Sequence, residues 1–380
     1  HRRTRARPQR PARVRSGQSK RGLLRVGMIG PGLDVPGGMT AVHRTWLQAQ
    51  AMAGVQVDYI ETMGEGSFLK KLGKNVAYEA KYAAKLASGY RPDIFHIHVA
   101  DRRSFYRKLA YFEQAQLTGR PVVVHIHGAV FEEFHDASAA NAKAIHWMFK
   151  RAAAVLVLHQ RILDKAKSWV GDEGRIEILY NPVDLRVFDE APDAAPGGPP
   201  TVLMMGEVGQ RKGAFDLCDA IPTILAAVPD ARFRFAGNGE TDKLQAQADA
   251  LGISDHVEVM GWTAGADKIA AFKSADVYCL PSYAENLPVS VLEGMAAGLP
   301  VVGTPVAGTP EAIKDGQTGF MVEPGDKDAM ADRLIRLLLD PRLRAQMGAA
   351  GRSRAEAHFD NEVVVSRLVS IWRELSGSED

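Results

Sequence analysis

The chain has 380 residues, 46% hydrophobic and 24% charged, which is the balance of an ordinary globular protein of two or three domains. Its net charge of +2 hides a division: residues 1–25 hold nine Arg and one Lys with no acid, and without those ten cations 37 basic side chains face 45 acidic ones, a body of −8. Two cysteines, Cys218 and Cys279, are too few for a disulfide scaffold and poorly placed for zinc, and no apolar run approaches the ~18 residues that span a bilayer, so a reducing, cytoplasmic setting is expected.

Residues 1–22 are expected to be a disordered basic arm, because Pro8, Pro11 and Gly17 break any helix and no apolar segment marks a secretory signal. The chain starts at His1, so a processed or mis-assigned start is one reading of the arm. Attraction to an anionic membrane surface through residues 1–25 is another. Nucleic-acid binding is disfavoured, since no aromatic residue interleaves the arginines for base stacking.

From residue 23 the pattern is strand, loop, helix, repeated. Short β-branched runs read as buried parallel strands at Leu24–Ile29, Val55–Ile60, Asp93–His98, Pro121–His127, Ala154–His159 and Arg175–Tyr180. Helices are expected at Met39–Met52, with Gly54 closing it, and at Ser67–Ser88. Residues 189–200, with Pro192, Pro196, Gly197, Gly198, Pro199 and Pro200, read as a linker between a domain at 23–188 and one at 201–359. The second series has strands at Thr201–Met205, Arg232–Ala236, Val257–Met260, Asp276–Leu280, Pro300–Gly303 and Gly319–Val322. Its helices are expected at Ala214–Ala227, Thr241–Leu251, Gly265–Lys273, Pro288–Ala297, Thr309–Ile313 and Asp326–Leu339, and three helical stretches then close the chain near Trp372. Two alternating series imply an α/β protein of two doubly wound, Rossmann-like domains with ligands at the strand C-termini and in the cleft between them.

The segment Leu280–Glu323 is the richest in chemistry. Glu285 sits in a turn after a strand, and Asn286-Leu287-Pro288 leads into a helix whose free amides and dipole suit phosphate or sugar hydroxyls. Glu293, inside that helix, has the chemistry to accept hydrogen bonds from the vicinal hydroxyls of a ribose. Lys212 closes a glycine-bounded segment, Gly206–Gly213, between a strand and a helix. No clustered Asp-x-Asp lies near a candidate diphosphate site, so a diphosphate would be held by cations and helix ends rather than by a metal. Gly237 and Gly239 after a strand leave room for a nucleotide, and Gly261-Trp262 follows the next strand, where Trp262 reads equally as a core aromatic. Pro36-Gly37-Gly38-Met39 follows the first strand, as a turn or a ligand loop. His125 and His127 end another strand on one sheet face, and His96 and His98 repeat that spacing. No third ligand is evident for zinc, so no metal is expected, His125 reads as a satisfied core residue and His96 as structural. His98, Arg102 and Arg103 are acceptor-side candidates, although the arginines equally suit a solvated helix face.

The C-terminal segment resembles the signature of the family 4 glycosyltransferases, retaining enzymes of the GT-B fold. Their Glu-x(7)-Glu motif matches Glu285 and Glu293. Their Gly-x-Pro-Val-Val run, ending in paired glycines and Glu, matches Gly298 to Glu311, with Thr309 in place of the second glycine. Their Asp-Gly-x-x-Gly run matches Asp315 to Val322. The resemblance implies that Lys212 grips the donor diphosphate, that Glu285 and Asn286–Pro288 bind the donor sugar, that Glu293 holds the ribose and that Trp262 lies near the base. It also implies that Gly37 and Gly38 approach donor or acceptor, that His127 touches the sugar at the reaction centre, and that the last helix, residues 360–375, packs back on the first domain. Glu207 departs from the family's usual Arg, leaving Arg211 to compensate or to point to solvent.

The function this implies is sugar transfer, with retention, from a nucleotide-diphosphate sugar to a glycan or lipid-linked acceptor in polysaccharide biosynthesis, by a cytoplasmic or peripheral membrane enzyme with no obligatory cofactor. A nucleotide-sugar epimerase or phosphorylase on the same fold, and a non-catalytic nucleotide-sugar-binding protein, are the rival readings.

Overall fold

The computed structural model describes residues 22–35, 37–64, 68–192 and 197–377; the basic arm, Pro36 and part of the linker lie outside these. The first half runs β1 (Leu24–Gly30), α1 (Gly38–Leu47), β2 (Val55–Glu61), α2 (Phe68–Ala87), β3 (Ile94–Val99), α3 (Arg103–Gln116), β4 (Val122–Ile126), α4 (Phe131–Asp136), α5 (Ala139–Phe149), β5 (Ala154–Val157), α6 (Gln160–Val170), β6 (Ile176–Ile178) and α7 (Arg186–Asp189). The second runs β7 (Thr201–Met205), α8 (Ala214–Ala227), β8 (Arg232–Ala236), α9 (Thr241–Ala250), β9 (Val257–Gly261), α10 (Gly265–Lys273), β10 (Val277–Leu280), α11 (Val289–Ala296), β11 (Val301–Gly303), α12 (Thr309–Ala312), β12 (Gly319–Met321), α13 (Lys327–Leu339), α14 (Pro341–His358) and α15 (Asn361–Ser376).

Every strand pair is parallel, and the orders are β2-β1-β3-β4-β5-β6 and β12-β11-β10-β7-β8-β9. Connections therefore cross the sheet and bury both faces, which is why the strands are continuous apolar runs rather than alternating ones. In the first half the two faces belong to separate cores. Phe95, Ile97, Val122 and Val124 meet α3, α5 and α6 on one side. Leu24, Val26, Ile94 and Val123 meet α1 and α15 on the other. The order in which strands are added reverses between β1 and β3 in one sheet and between β7 and β10 in the other. Loops at such switch points part to opposite faces and leave a crevice beyond the strand ends.

The first helix is shorter than its hydrophobic pattern predicts. It stops at Leu47, and a single 3₁₀ turn, Gln50–Met52, follows before Gly54. The cause is tertiary: Asn361 Nδ2 donates to Thr45 O at 2.7 Å, and the Glu362 carboxylate accepts from the Gln50 and Ala51 amides at 2.8 and 2.9 Å. The start of α15 thus takes over backbone groups that a longer helix would pair internally. After α13 the chain has two helices rather than three. Helix α14 runs unbroken through Gly348, which needs its missing side chain for close approach: a Cβ there would lie 1.9 Å from Gly298 O.

Helix α15 lies against the first sheet, with Val364, Val365, Leu368, Ile371 and Trp372 in its core. Trp372 is fully buried and donates its indole N–H to His96 Nδ1 at 3.1 Å. Among the described residues, no helix is long and apolar enough to cross a membrane.

Candidate active site

The second switch point brings together the loops after β7 and β10. Gly213, at φ 73°, ends the first loop, and a Cβ there would sit 2.1 Å from Pro281 O in the second. This close approach, available only to glycine, locks Tyr283 N onto Arg211 O at 2.8 Å and sets Lys212 against Glu285. The Lys212 ammonium and the Glu285 carboxylate form a hydrogen-bonded ion pair whose side chains are only 13% and 8% exposed. Ser282 Oγ donates to the same carboxylate oxygen at 2.8 Å. Asn286, Leu287 and Pro288 are buried beside the pair. Pro288 is the N-cap of α11, one position earlier than its ring chemistry predicts, and no acidic residue occupies the first turn. The result is a partly shielded cation, a carboxylate and a helix start around one point, a set that can hold a diphosphate and a polyhydroxylated group together.

Arg211 is exposed and held in ion-pair and backbone contacts. Its guanidinium donates to Glu207 Oε2 at 3.1 Å and to Ala284 O at 3.2 Å, with Glu285 at 3.9 Å. The Glu207 departure is thus neutralised locally by the neighbour expected to compensate for it.

Glu293, 9% exposed, pairs with Lys268 of α10. Both line a cavity of about 660 Å³ that also includes Val289, Thr45 and Gln48, so α1 of the first half forms part of its wall. Gly237 and Gly239 turn out to serve the packing of loops on one another: Cβ atoms there would lie 1.7 Å from Gly206 O and 2.3 Å from Val208 O. Trp262 is 57% exposed beyond β9, which removes the core-aromatic reading and leaves its face available.

On the facing half, Gly37 and Gly38 are exposed at the start of α1, and a Cβ on either would meet nothing within 4 Å. The β3 and β4 registers place His98 beside His125. With His96, His127 and His43 of α1 they form a cluster of five imidazoles under Trp46. Desolvation holds all five well below the ordinary histidine range, His96 and His127 at about 3, so the cluster is neutral. Burial likewise drives Lys108, which is coupled to His43 and His127, toward the neutral amine. His127 is the least enclosed of the five. The next residue, Gly128, accepts at its carbonyl from Asn286 Nδ2 at 3.1 Å, which ties the histidine strand end to the start of α11 in the other half.

Three expectations are corrected here. His98 is 0% exposed and hydrogen-bonded to His127 at 3.0 Å, so it stands behind the surface an acceptor could reach. His125 is a core residue stacked on Trp46, but its ring nitrogens lack well-formed hydrogen bonds. The absent third ligand is present: helix α1 brings His43 to His98 and His127. Arg102, at φ 54°, and Arg103 line a separate cavity of about 570 Å³ with Tyr106, Val130, Glu133 and Phe134.

Lys268, Ser282 and His43 were not singled out from the sequence, and Glu311 was named only as the end of the glycine run. Glu311 bridges the halves, accepting from Gln160 N at 3.1 Å and from Tyr180 OH at 3.2 Å. Asn181 Nδ2 adds a bond to Leu287 O at 2.7 Å. The paired-glycine register also shifts. Ala307 has φ 44°, the conformation glycine favours, and a Cβ on Gly308 would lie 2.6 Å from Asn286 O. The pair is therefore Ala307–Gly308, with Ala replacing the first glycine, rather than Gly308–Thr309.

Residues 188–354 match the family model for glycosyl transferases group 1, and residues 6–182 match that for the glycosyl transferase 4-like domain. The phosphatidyl-myo-inositol mannosyltransferase of Mycobacterium leprae is 28% identical over 383 residues, covering 93% of this chain and 98% of its own. Its Mycolicibacterium smegmatis counterpart is 29% identical over 384 residues, covering 93% and 95%. Among solved structures, sucrose-phosphate synthase from Thermosynechococcus elongatus superposes with a TM-score of 0.77 at 20% identity, covering 94% of this chain and all of its own. Anabaena HepE in complex with UDP and glucose gives 0.75 at 17%, covering 93% and 100%. Two facing doubly wound domains with a cation at the second switch point define a glycosyltransferase of the GT-B class. The chain belongs to the family 4 glycosyltransferases and is a hexosyltransferase that uses a nucleotide sugar.

Proposed function

We propose that the enzyme transfers a hexose, with retention at the anomeric carbon, from a nucleoside-diphosphate sugar to a lipid-linked or glycan acceptor in polysaccharide biosynthesis on the cytoplasmic side of a membrane. The observation that carries this is the Lys212–Glu285 pair at the switch point of the second sheet, beside the start of α11. In this reading Lys212 holds the diphosphate, and Glu285 with Asn286–Pro288 receives the sugar hydroxyls. Glu293 holds the ribose against Lys268, and Trp262 faces the base. Gly37 and Gly38 leave room for the phosphate or acceptor from the opposite side, and Gly237 and Gly239 shape the loops beneath the nucleotide. His127 touches the sugar near the breaking bond. The leaving phosphate oxygen takes the acceptor proton as the glycosidic bond forms on the face it vacates, which needs no protein base and conserves configuration. The buried, neutral state of His127 suits a hydrogen-bonding contact rather than a charged one.

The curated relatives named as mannosyltransferases of phosphatidylinositol favour a mannosyl donor and a glycolipid acceptor, and the basic residues 1–25 would draw the enzyme to an anionic surface carrying one. Arg102 and Arg103, which line their own cavity, are the acceptor-side candidates in this reading. The test is product analysis with GDP-mannose, UDP-glucose and ADP-glucose against lipid-linked sugars, with the new anomeric centre read by proton NMR. Nucleotide released only when acceptor is present, with the donor's anomeric configuration kept in the product, is the expected result. An inverted product would overturn retention, and no release from any donor would overturn transfer.

Glu207 gives a second measurable outcome. Its carboxylate occupies Arg211 from an exposed position, so the gain on removing it is modest. Glu207→Arg is expected to lower the donor KM about two- to fivefold. A rise in KM would show that Glu207 serves the donor directly.

A further inference from the structure

The transfer chemistry uses His127 and leaves the rest of the imidazole cluster without a task. Two three-histidine groups have ring nitrogens within 4.8 Å of one another: His43, His98 and His127, and His96, His98 and His125. Hydrogen-bond donors distinguish them. Trp372 Nε1 can only donate, so His96 Nδ1 accepts and its lone pair is taken; that ring carries its proton on Nε2. The second group is therefore closed at His96. In the first group, Tyr59 spends its one proton on Pro31 O at 2.7 Å. The 2.7 Å contact between Tyr59 OH and His43 Nδ1 must then be donated by His43, which leaves the Nε2 lone pair unprotonated. That nitrogen is buried and, among the described residues, has no hydrogen-bond partner. His98 Nδ1 and His127 Nε2, 3.0 Å apart, share a single proton, and His98 Nε2 is also without a partner.

We propose that His43, His98 and His127 form a binding site for a divalent transition-metal ion, with zinc the best fit. An ion entering between the facing nitrogens replaces the shared proton, which moves to an outer nitrogen of the same pair, so the three rings stay neutral and none loses its proton. Three imidazoles without a carboxylate suit zinc or cobalt and not magnesium or calcium, and a tetrahedral ion keeps one position for water or a ligand. Tyr59 is the outer partner that fixes the tautomer and aim of His43, as metal-bound histidines require. The ion would draw His127 away from the donor sugar, so zinc should inhibit transfer; that consequence rests on the role proposed for His127, whereas binding does not.

The test is titration of the full chain, free of any affinity tag, with cobalt(II), followed by its visible ligand-field bands and by displacement with zinc. One equivalent with tetrahedral-type bands is expected. Tyr59→Phe should weaken binding about 10- to 100-fold, His43→Gln should abolish the bands, and His146→Ala, in the outer His135–His146 pair, should leave them unchanged. Circular dichroism checks that each variant folds, and Tyr59→Phe carries the test if His43→Gln does not. Absence of bands at one equivalent, or bands that survive both His43→Gln and Tyr59→Phe, would overturn the site. Binding without inhibition would keep the site and remove His127 from the sugar contact. Active transferase that binds no metal would leave the transfer reading intact and this one refuted.

Discussion

Lys212→Ala is expected to lower kcat by about 10²- to 10³-fold, the range seen when a placed group that stabilises developing charge is removed. The donor KM should rise by less. The reason is the arrangement around the ammonium. Lys212 is 13% exposed, and Glu285 is its buried partner in the ion pair. In the proposed role, negative charge grows on the diphosphate as the sugar–phosphate bond breaks, so a contact with Lys212 would strengthen between ground and transition states. An interaction of that kind appears in kcat rather than in KM. Steady-state kinetics with the preferred donor measures it. Lys212→Arg should recover part of the rate if charge is what counts. Wild-type kcat in Lys212→Ala would sink the assignment.

Trp372→Ala is expected to destabilise the protein by about 3–5 kcal/mol, the usual range for deleting a fully buried large aromatic side chain. Trp372 anchors α15 to the first sheet among Leu368, Val26 and Trp46. Its loss also strips the hydrogen bond from His96 Nδ1 in a dry core. Urea unfolding read by the remaining tryptophans gives the magnitude, and limited proteolysis should cut first within Asn361–Ser376. A shift below about 1 kcal/mol would mean the surrounding helices close over the gap, which the size of the indole makes difficult.

All twelve strands were legible because parallel, doubly covered strands must be apolar runs bounded by turns, and nothing else in the chain looks like Val122–Ile126 or Thr201–Met205. Helix ends were less so. The stop after Leu47 is imposed by Asn361 and Glu362, more than 300 residues away, and no local propensity encodes it. The switch-point pair Lys212 and Glu285 was found because each stands in a patterned loop after a strand. Lys268 was missed because it lies in an unremarkable helix and acquires meaning only through Glu293. His43 was missed for the same reason: it reads as one polar residue in α1 until the fold swings that helix over the ends of β3 and β4. Ala307 is the reverse case, where the spacing of the run, with four residues between Val302 and the pair and two between the pair and Glu311, agrees with the backbone angle on which residues are the glycine pair.

In the proposed roles the pairing around Lys212 bears on turnover. Lys212, Arg211, Glu285 and Glu207 compensate one another as ion pairs. In the proposed roles, a complete nucleotide sugar repays the broken Lys212–Glu285 pair twice, with a diphosphate for the cation and hydroxyls for the carboxylate. The departing nucleoside diphosphate satisfies only the cation and leaves Glu285 uncovered. Substrate retention and product expulsion would then follow from a single salt bridge that re-forms once the sugar has gone.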